Sequence, residues 1–380
     1  MVNGRICRLS AAMRRIKFNL SQGPVNGWDA AIGLTEGYLA AKDKADRLLE
    51  LLPPDFIGRQ RARCQSLFLG ALRHGQRARY AYRPLMRRVP RPRLEAILLV
   101  TAFELQSEPT ERQAKIVHHA VERSKALLGK PELGFLNAVL RQLPEALRAA
   151  ADSPDPAVRH SHPDWLVAHW LEVFGPEATE QLLQWNQGIP PLYLKWPGAP
   201  AVLPDCLTAT EWEGFYCIDP KADWQAALQA PLAEGEAYIK DPSTRLAPGL
   251  LAPRAGHRVL DLCAAPGGKA FDLARQMAGQ GQIVAVDLPG PRIGRLRENL
   301  NRLTGAGLAT AVVEKDLTEL AAGDFEERGL PAAYDRVMLD APCSNTGVIQ
   351  RRTDVKWRLE PGDIGRCTKL QQQLIHSAAR

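Results

Sequence analysis

The stretch Asp261-Leu-Cys-Ala-Ala-Pro-Gly-Gly-Lys269 decides the architecture. It follows the apolar pair Val259-Leu260. A glycine turn between a short strand and a helix lets backbone pass close to a ligand and aims a helix N-terminus at it. Outward from this turn, strand and helix patterns alternate: a strand at 259–262, a helix from about Gly268, a strand at 283–287, a helix at 292–303, and strands at 311–313 and 336–340. This spacing predicts an α/β, doubly wound, mostly parallel sheet, whose ligand lies outside the carboxyl ends of the strands. Those ends carry Asp261 through Lys269, then Asp287, Asp316 and Asp340. Asp287 lies 19 residues beyond Gly268, the distance at which an acid reaches a ribose diol in dinucleotide folds, so any nucleoside-containing cofactor fits. There is no Gly-x-Gly-x-x-Gly, against NAD or FAD, and no phosphate-binding Gly-x-x-x-x-Gly-Lys-Ser/Thr. The fourth strand runs into Leu339-Asp-Ala-Pro-Cys343-Ser-Asn-Thr-Gly347. A thiol and a carboxylate thus stand three residues apart at the mouth of the same site.

Upstream, the pattern is helical. Leu94, Ile97, Leu98, Thr101 and Leu105 share one face, as do Val117, Ala120, Val121, Ser124 and Leu128, and again Leu133, Leu136, Leu140 and Leu143. Pro109 reads as a helix start and Gly129 as its end. Pro144, Pro154, Pro156 and Pro163 read as a linker. Two helices split by Gly175-Pro176 follow, then short β-prone pieces over 189–245. The expected organisation is a basic extension at 1–24, an all-α domain at 25–150, a linker with a small α+β subdomain at 151–245, and the α/β domain at 246–380. Met13 offers an alternative start to Met1.

Charge is unevenly placed in the 380 residues. The first 150 hold 26 Lys and Arg against 13 Asp and Glu, whereas the remainder is acidic, for a net charge of +7. Such asymmetry suggests a polyanion-binding module joined to something else. Residues 59–93 carry eleven arginines and no acid, with Tyr80 and Tyr82 among them. Arginine pairs bidentately with phosphate and stacks on bases, so Arg59, Arg61, Arg63, Arg73, Arg77 and Arg79 form a candidate RNA footprint. Seven scattered cysteines without a Cys-x-x-Cys pair argue against a disulfide framework and a zinc site. With no run of 18 apolar residues and no secretory leader, the chain reads as cytoplasmic, without metal or membrane partners.

Taken together, the 261–269 motif, Asp340-Ala-Pro-Cys343-Ser, and Gly347-Val-Ile with Arg351-Arg-Thr-Asp-Val-Lys-Trp-Arg358 resemble the RNA cytosine-C5 methyltransferases of the RsmB/NOP family. The resemblance is narrower to the bacterial 16S ribosomal RNA branch, which carries a NusB-like helical domain ahead of a Rossmann-like catalytic domain; Gly134-Phe-Leu-Asn-Ala-Val-Leu-Arg141 fits the end of that helical domain. It implies S-adenosyl-L-methionine as methyl donor, held by Cys263, Ala264, Ala265, Pro266, Gly267, Gly268 and Lys269. By the same resemblance Asp287 binds the ribose, Asp316 faces the adenine, and Asp340 lies between methionine and target base. Arg351, Arg352 and Lys356 join the RNA-contacting set. The implied partner is 16S RNA, naked or in a small-subunit assembly intermediate, and the implied state is a monomer.

The implied reaction is covalent: a thiolate adds to C6 of cytosine so that C5 can take the methyl group. Members of the family use two cysteines, a nucleophile in a Thr-Cys-Ser motif and the Pro-Cys cysteine that helps release product. Cys343 matches the second; no Thr-Cys-Ser occurs, and Cys367-Thr368 has the reverse order. The expectation is therefore a C-terminally truncated sheet with an unprotected edge, its main nucleophile lying beyond Arg380. Two alternatives stay open: a NusB-like RNA-binding protein with an inactive methyltransferase domain, and a DNA cytosine-C5 methyltransferase using Cys343.

Overall fold

The computed structural model describes residues 26–379 apart from 199, 201 and 306. The basic extension expected over 1–24 lies outside the described residues. Two compact units result, Met1–Ile189 with Asn345–Pro361, and Pro190–Ser344 with Gly362–Arg380.

The first unit is helical: α1 Gly27–Ala41, α2 Gly58–Arg73, α3 Gly75–Tyr82, α4 Pro92–Ser107, α5 Thr110–Ser124, α6 Lys130–Ala151 and α7 Asp164–Gln187, with single-turn helices between some of them. Helix α4 is the centre. Leu94, Ala96, Ile97, Leu98, Leu99, Val100, Ala102 and Leu105 are buried around its circumference, as in a helix packed on all sides. Trp28 of α1, Phe68 of α2, and Leu136, Leu140 and Leu143 of α6 complete the core. The buried Glu104 of α4 accepts from the Trp28 indole at 2.9 Å and from Arg63 at 2.8 Å. Helices α2 and α4 meet at Gly70, where a Cβ would lie 2.3 Å from the Phe103 ring.

Two boundaries differ from the sequence reading. Helix α5 stops at Ser124, and Gly129 caps the start of α6, its amide 3.4 Å from Glu132 Oε2. Pro144 lies inside α6 and not in a linker. Leu143, Leu147 and Ala150 continue the buried stripe past it, and that burial outweighs the one ladder bond a proline removes. The expected break at Gly175-Pro176 is present as a kink in α7, with Gly175 at φ 77°.

The segment Asn345–Pro361, expected within the α/β domain, packs in the helical unit. Ile349 and Val355 are buried with Leu166, Val167 and Trp170 of α7. Trp357 lies on the α-helical core and donates its indole N–H to Leu72 O at 2.7 Å. Tyr38 Oη donates to Asp354 O at 3.2 Å.

The second unit opens with a small antiparallel sheet of β1 Leu192–Lys195, β2 Leu207–Ala209, β3 Phe215–Ile218 and β4 Tyr238–Ile239, in the order β2-β3-β1-β4. Then come β5 Arg258–Leu262, α8 Gly268–Gln276, β6 Gly281–Asp287, α9 Ile293–Leu303, β7 Leu308–Glu314, β8 Arg336–Leu339 and α10 Pro361–Ala378. The larger sheet is wholly parallel in the order β7-β6-β5-β8. Alternation along its strands covers both faces. Leu260, Leu262, Val284 and Val286 pack with Phe325 and Leu374, the latter from α10. Val259 and Ile283 pack with Leu273 and Met277 at α8, while Ala285 packs with Leu296 and Leu300 of α9. The chain is thus an all-α region followed by a doubly wound α/β sheet. Among the described residues, no helix is long and apolar enough to cross a membrane.

Candidate active site

Parallel pairing brings the strand ends to one edge. Leu262 is level with Val286 and Leu339, and Asp287 with Glu314. Cys263, Asp287, Asp316 and Asp340 therefore emerge side by side at the carboxyl ends, although their sequence positions span nearly eighty residues. The turn after β5 is tight. Cys263 sits at φ 58° and Gly267 at φ 97°, the latter capping α8 where a side chain would press on Leu296 and Asn299. Gly267 N donates to Ala264 O at 2.7 Å, Ala264 N to Val286 O at 3.2 Å, and the Asn299 amide to Pro266 O at 2.8 Å.

Each acid has a distinct setting. Asp287 is buried; its Oδ2 accepts from the Ala265 amide at 2.8 Å, and Arg292 stands 3.6 Å from Oδ1. Asp316 caps the turn after β7, accepting from Thr318 N at 2.9 Å and Thr318 Oγ1 at 2.7 Å. Those two bonds hold its carboxyl below the usual carboxylate range. Asp340 is exposed and ion-paired with Lys269. Cys343 is exposed three residues on, and Gln371 of α10 steadies its loop by donating to Pro342 O at 2.9 Å. Cys263 is different: burial first, then Asp287, Asp340 and Asp261, pushes its thiol up to about 11, which disfavours the thiolate.

Lys240, Arg292 and Asn299 carried no signal in the sequence reading, which also gave Asp261 no role beyond opening the strand-end motif. Lys240, just past β4, donates to Gly268 O at 3.1 Å and ion-pairs with Asp272 of α8. Arg292 and Asn299 brace the turn from α9 and its approach. Asp261 is almost fully buried in β5, and neither carboxylate oxygen has a hydrogen-bond partner. A carboxylate in an otherwise apolar central strand was the available clue.

The candidate RNA residues divide by burial. Arg59, Arg63, Arg351 and Arg352 are exposed, and Arg61, Arg77 and Arg79 are partly so. Arg63 pairs with Glu104 and Arg79 with Glu95. Arg73 and Lys356 are corrections: both are buried and face carbonyl groups, not solvent. Arg73 donates to Asn186 O at 3.0 Å, Gly188 O at 2.5 Å and Gln350 O at 2.9 Å. Lys356 Nζ donates to Arg73 O at 2.8 Å and Ser161 O at 2.5 Å. Segment ends that converge with unsatisfied carbonyls need long donors, and these two side chains supply them. Burial, with Arg73 and Arg77 nearby, holds the Lys356 amine well below the usual lysine range.

Comparison with known proteins places both parts. Residues 248–380 match the family described as 16S rRNA methyltransferase RsmB/F, and residues 33–145 match the NusB family. The Klebsiella pneumoniae protein named ribosomal RNA small subunit methyltransferase B is 30% identical over 362 residues, covering 88% of this chain and 79% of that protein. A protein of the same name from Vibrio cholerae is 33% identical over 296 residues, covering 73% and 64% respectively. The crystal structure of PH0851 shares the fold, with a TM-score of 0.65 at 21% identity, covering 94% of this chain and 83% of its own. With a relative 30% identical over 88% of this chain and both regions matched by family models, the chain belongs to the 16S rRNA methyltransferase RsmB/F family, with a NusB-family region ahead of its methyltransferase part.

Proposed function

We propose that this protein transfers a methyl group from S-adenosyl-L-methionine to C5 of a cytosine in 16S ribosomal RNA, in the cytoplasm, by way of a covalent cysteine–C6 adduct. The observation that carries the reading is the convergence of the Cys263-to-Lys269 turn, Asp287, Asp316, Asp340 and Cys343 on one edge of the parallel sheet. The residues present fit the cofactor. Carboxylates suit hydroxyl, exocyclic-amine and ammonium donors, and the Gly267 turn allows close approach. The turn residues would hold the methionine portion, Asp287 the ribose and Asp316 the adenine. The bound cofactor would supply an electrophilic methyl group.

The first task of the reaction is to make C5 nucleophilic, and the family's attacking thiol, that of a Thr-Cys-Ser motif, does not occur in this sequence. A thiolate forms a bond to C6, and the C5–C6 electron pair becomes enamine-like and able to attack the methyl carbon. Asp340, beside Lys269, is the carboxylate offered to N3 and N4 of the base. Loss of the C5 proton to a base then returns the electron pair and expels the thiol. Family resemblance assigns the Cys343 position to product release, and the exposure of Cys343 suits contact with an extrahelical base. Exposed arginines of the helical unit would hold the RNA backbone, whether the RNA is free or in an assembling subunit.

The test uses tritiated cofactor with 16S RNA, followed by nucleoside analysis and by a search for denaturant-resistant protein–RNA adducts. Label in 5-methylcytosine supports the reading, whereas label in another nucleoside, or neither transfer nor cofactor binding, overturns it. Cys343→Ala separates the two thiol roles: adducts that accumulate mark product release, and transfer that vanishes without adduct marks the attacking thiol.

A further inference from the structure

The helical unit contains a cavity of about 160 Å³ that the chemistry above does not use. Tyr38, Leu72, Leu99 and the indole of Trp357 form its walls, and Lys42 and Arg79 are its cations; among the described residues no acid lines it. It reaches solvent at Lys42, which is exposed, and at Arg79 and Trp357, which are partly so. Both aromatic walls are fixed. Tyr38 Oη donates to Asp354 O at 3.2 Å, and Trp357 Nε1 donates to Leu72 O at 2.7 Å. Arg79 is anchored by Nε, which donates to Glu95 Oε1 at 2.7 Å; among the described residues its two terminal nitrogens make no hydrogen bond. Gly75 keeps the space open, since a Cβ there would lie 3.4 Å from a terminal nitrogen of Arg79 and 4.0 Å from the Trp357 ring. Lys42 takes the left-handed position after α1, at φ 48°, a place that favours glycine or asparagine. Among the described residues its amine has no ion pair.

Size and charge together select an occupant. A dry apolar cavity of about 150 Å³ takes up benzene, so this one has room for a single aromatic ring. Two cations without an acid require that the ring carry oxygen acceptors and a negative charge. The surroundings agree: Gly75 and Arg79 belong to the acid-free run 59–93, and Arg83, one turn beyond Arg79, is exposed. A phenyl ring would suit the walls but would offer nothing to the donors, whereas a nucleotide brings ring, carbonyl oxygen and phosphate together.

We propose that this cavity is a nucleotide pocket of the helical unit, taking one unpaired pyrimidine of the RNA with its base against Tyr38 and Trp357, its carbonyl oxygen on Arg79 and its phosphate on Lys42. The inference rests on RNA as the partner and adds to that reading a place where a base, and not only the backbone, is recognised. Arginines on phosphates hold RNA of any sequence, but a ring-sized pocket with donors at its mouth selects among unstacked bases. A purine, with two fused rings, exceeds the space.

The experiment measures the affinity of the full chain for short single-stranded oligouridylate and oligoadenylate over a range of salt. Wild type is expected to bind oligouridylate more tightly. Gly75→Leu, which fills the cavity, is expected to lose about tenfold on oligouridylate, the effect of one lost stacked base, with oligoadenylate binding and the salt slope unchanged. Lys42→Gln is expected to keep the preference and to lower the slope of log affinity against log salt by about 0.7. Irradiation of an oligoribonucleotide carrying 4-thiouridine is expected to attach it to Tyr38 or Trp357, as mapped by mass spectrometry. No oligouridylate preference in the wild type, or a Gly75→Leu protein that binds both oligomers as the wild type does, would overturn the pocket while leaving the 16S RNA reading intact. A wild type that binds neither oligomer nor 16S RNA would overturn both together. Should Gly75→Leu fold poorly by circular dichroism, the wild-type crosslink still decides: adducts confined to other residues count against the pocket.

Discussion

A carboxyl that burial holds in its neutral form leaves a mark on stability. The folded protein holds the Asp261 proton up to about pH 7, while the unfolded chain releases it near 4. Between those values the folded state binds more protons, so this residue's contribution falls as pH climbs through the window and is fully lost above it. Asp261→Asn is expected to leave thermal stability unchanged at pH 4 and to raise it at pH 8 by an amount of order 2–4 kcal/mol. Melting curves of the two proteins across that range check it. His162 works in the opposite sense. It is fully buried with Nδ1 2.7 Å from His160 O, and burial, aided by the Lys356 charge, holds the ring well below the usual histidine range. Its contribution is present above the unfolded value of about 6.5 and is lost as pH falls below it. The helical unit is therefore expected to melt lower at pH 5 than at pH 7.5 by circular dichroism, and the difference should shrink in His162→Gln. At this scale the sequence disclosed the motif residues, since glycine turns and strand-end acids keep their spacing in any context. It did not disclose the unpartnered burial of Asp261, the part played by Lys240 or the buried state of Lys356, because each depends on which distant atoms close around it.

At the scale of elements, strong periodicity was the legible part. Helix α4 and strands β5, β6, β7 and β8 lie where apolar spacing put them, within a few residues at their ends. Gly129 and Pro144 misled because the same residue type can stop a helix, start one or be tolerated inside one, and only the continuing buried stripe of α6 settles which. The Asn345–Pro361 segment misled more deeply. Its Arg351, Arg352 and Lys356 read as RNA-contacting residues, yet Lys356 and the neighbouring Asp354 are buried against helical carbonyl and aromatic groups. Helix packing gives a sharper test. Gly70→Ala would drive a methyl group to 2.3 Å from the Phe103 ring, where α2 crosses α4. Overpacking of this kind costs about 1–3 kcal/mol, so the variant's denaturant midpoint should fall while Gly134→Ala, with open space around it, holds or rises slightly.

Across the whole molecule, charge and connectivity set the expected behaviour. Arg59, Arg83, Arg87 and Arg88 are exposed, whereas Arg73 from the same run is buried. If the helical unit holds the RNA backbone, replacing these four exposed arginines by serine should lower the slope of log affinity against log salt by about three, roughly 0.7–0.9 for each phosphate no longer neutralised. The fold itself should persist, as read by circular dichroism. Arg73→Ser should do the reverse, loosening the helical unit by leaving three carbonyl groups without their donor. An unchanged salt slope in the fourfold variant would remove this arginine run from the RNA surface.

The path of Asn345–Pro361 also constrains how such a protein can be inherited or dissected. The polypeptide leaves the α/β unit after Ser344, is buried in the helical unit, and returns at Gly362. A gene fragment beginning at Pro190 would therefore encode Ile349, Val355 and Trp357 without the helices that cover them, exposing a sticky internal loop. Swapping in a foreign helical partner at the 189–190 junction would fail for the same reason unless that partner brought a matching bed. A single cut in the chain at 189–190 therefore does not separate the two units.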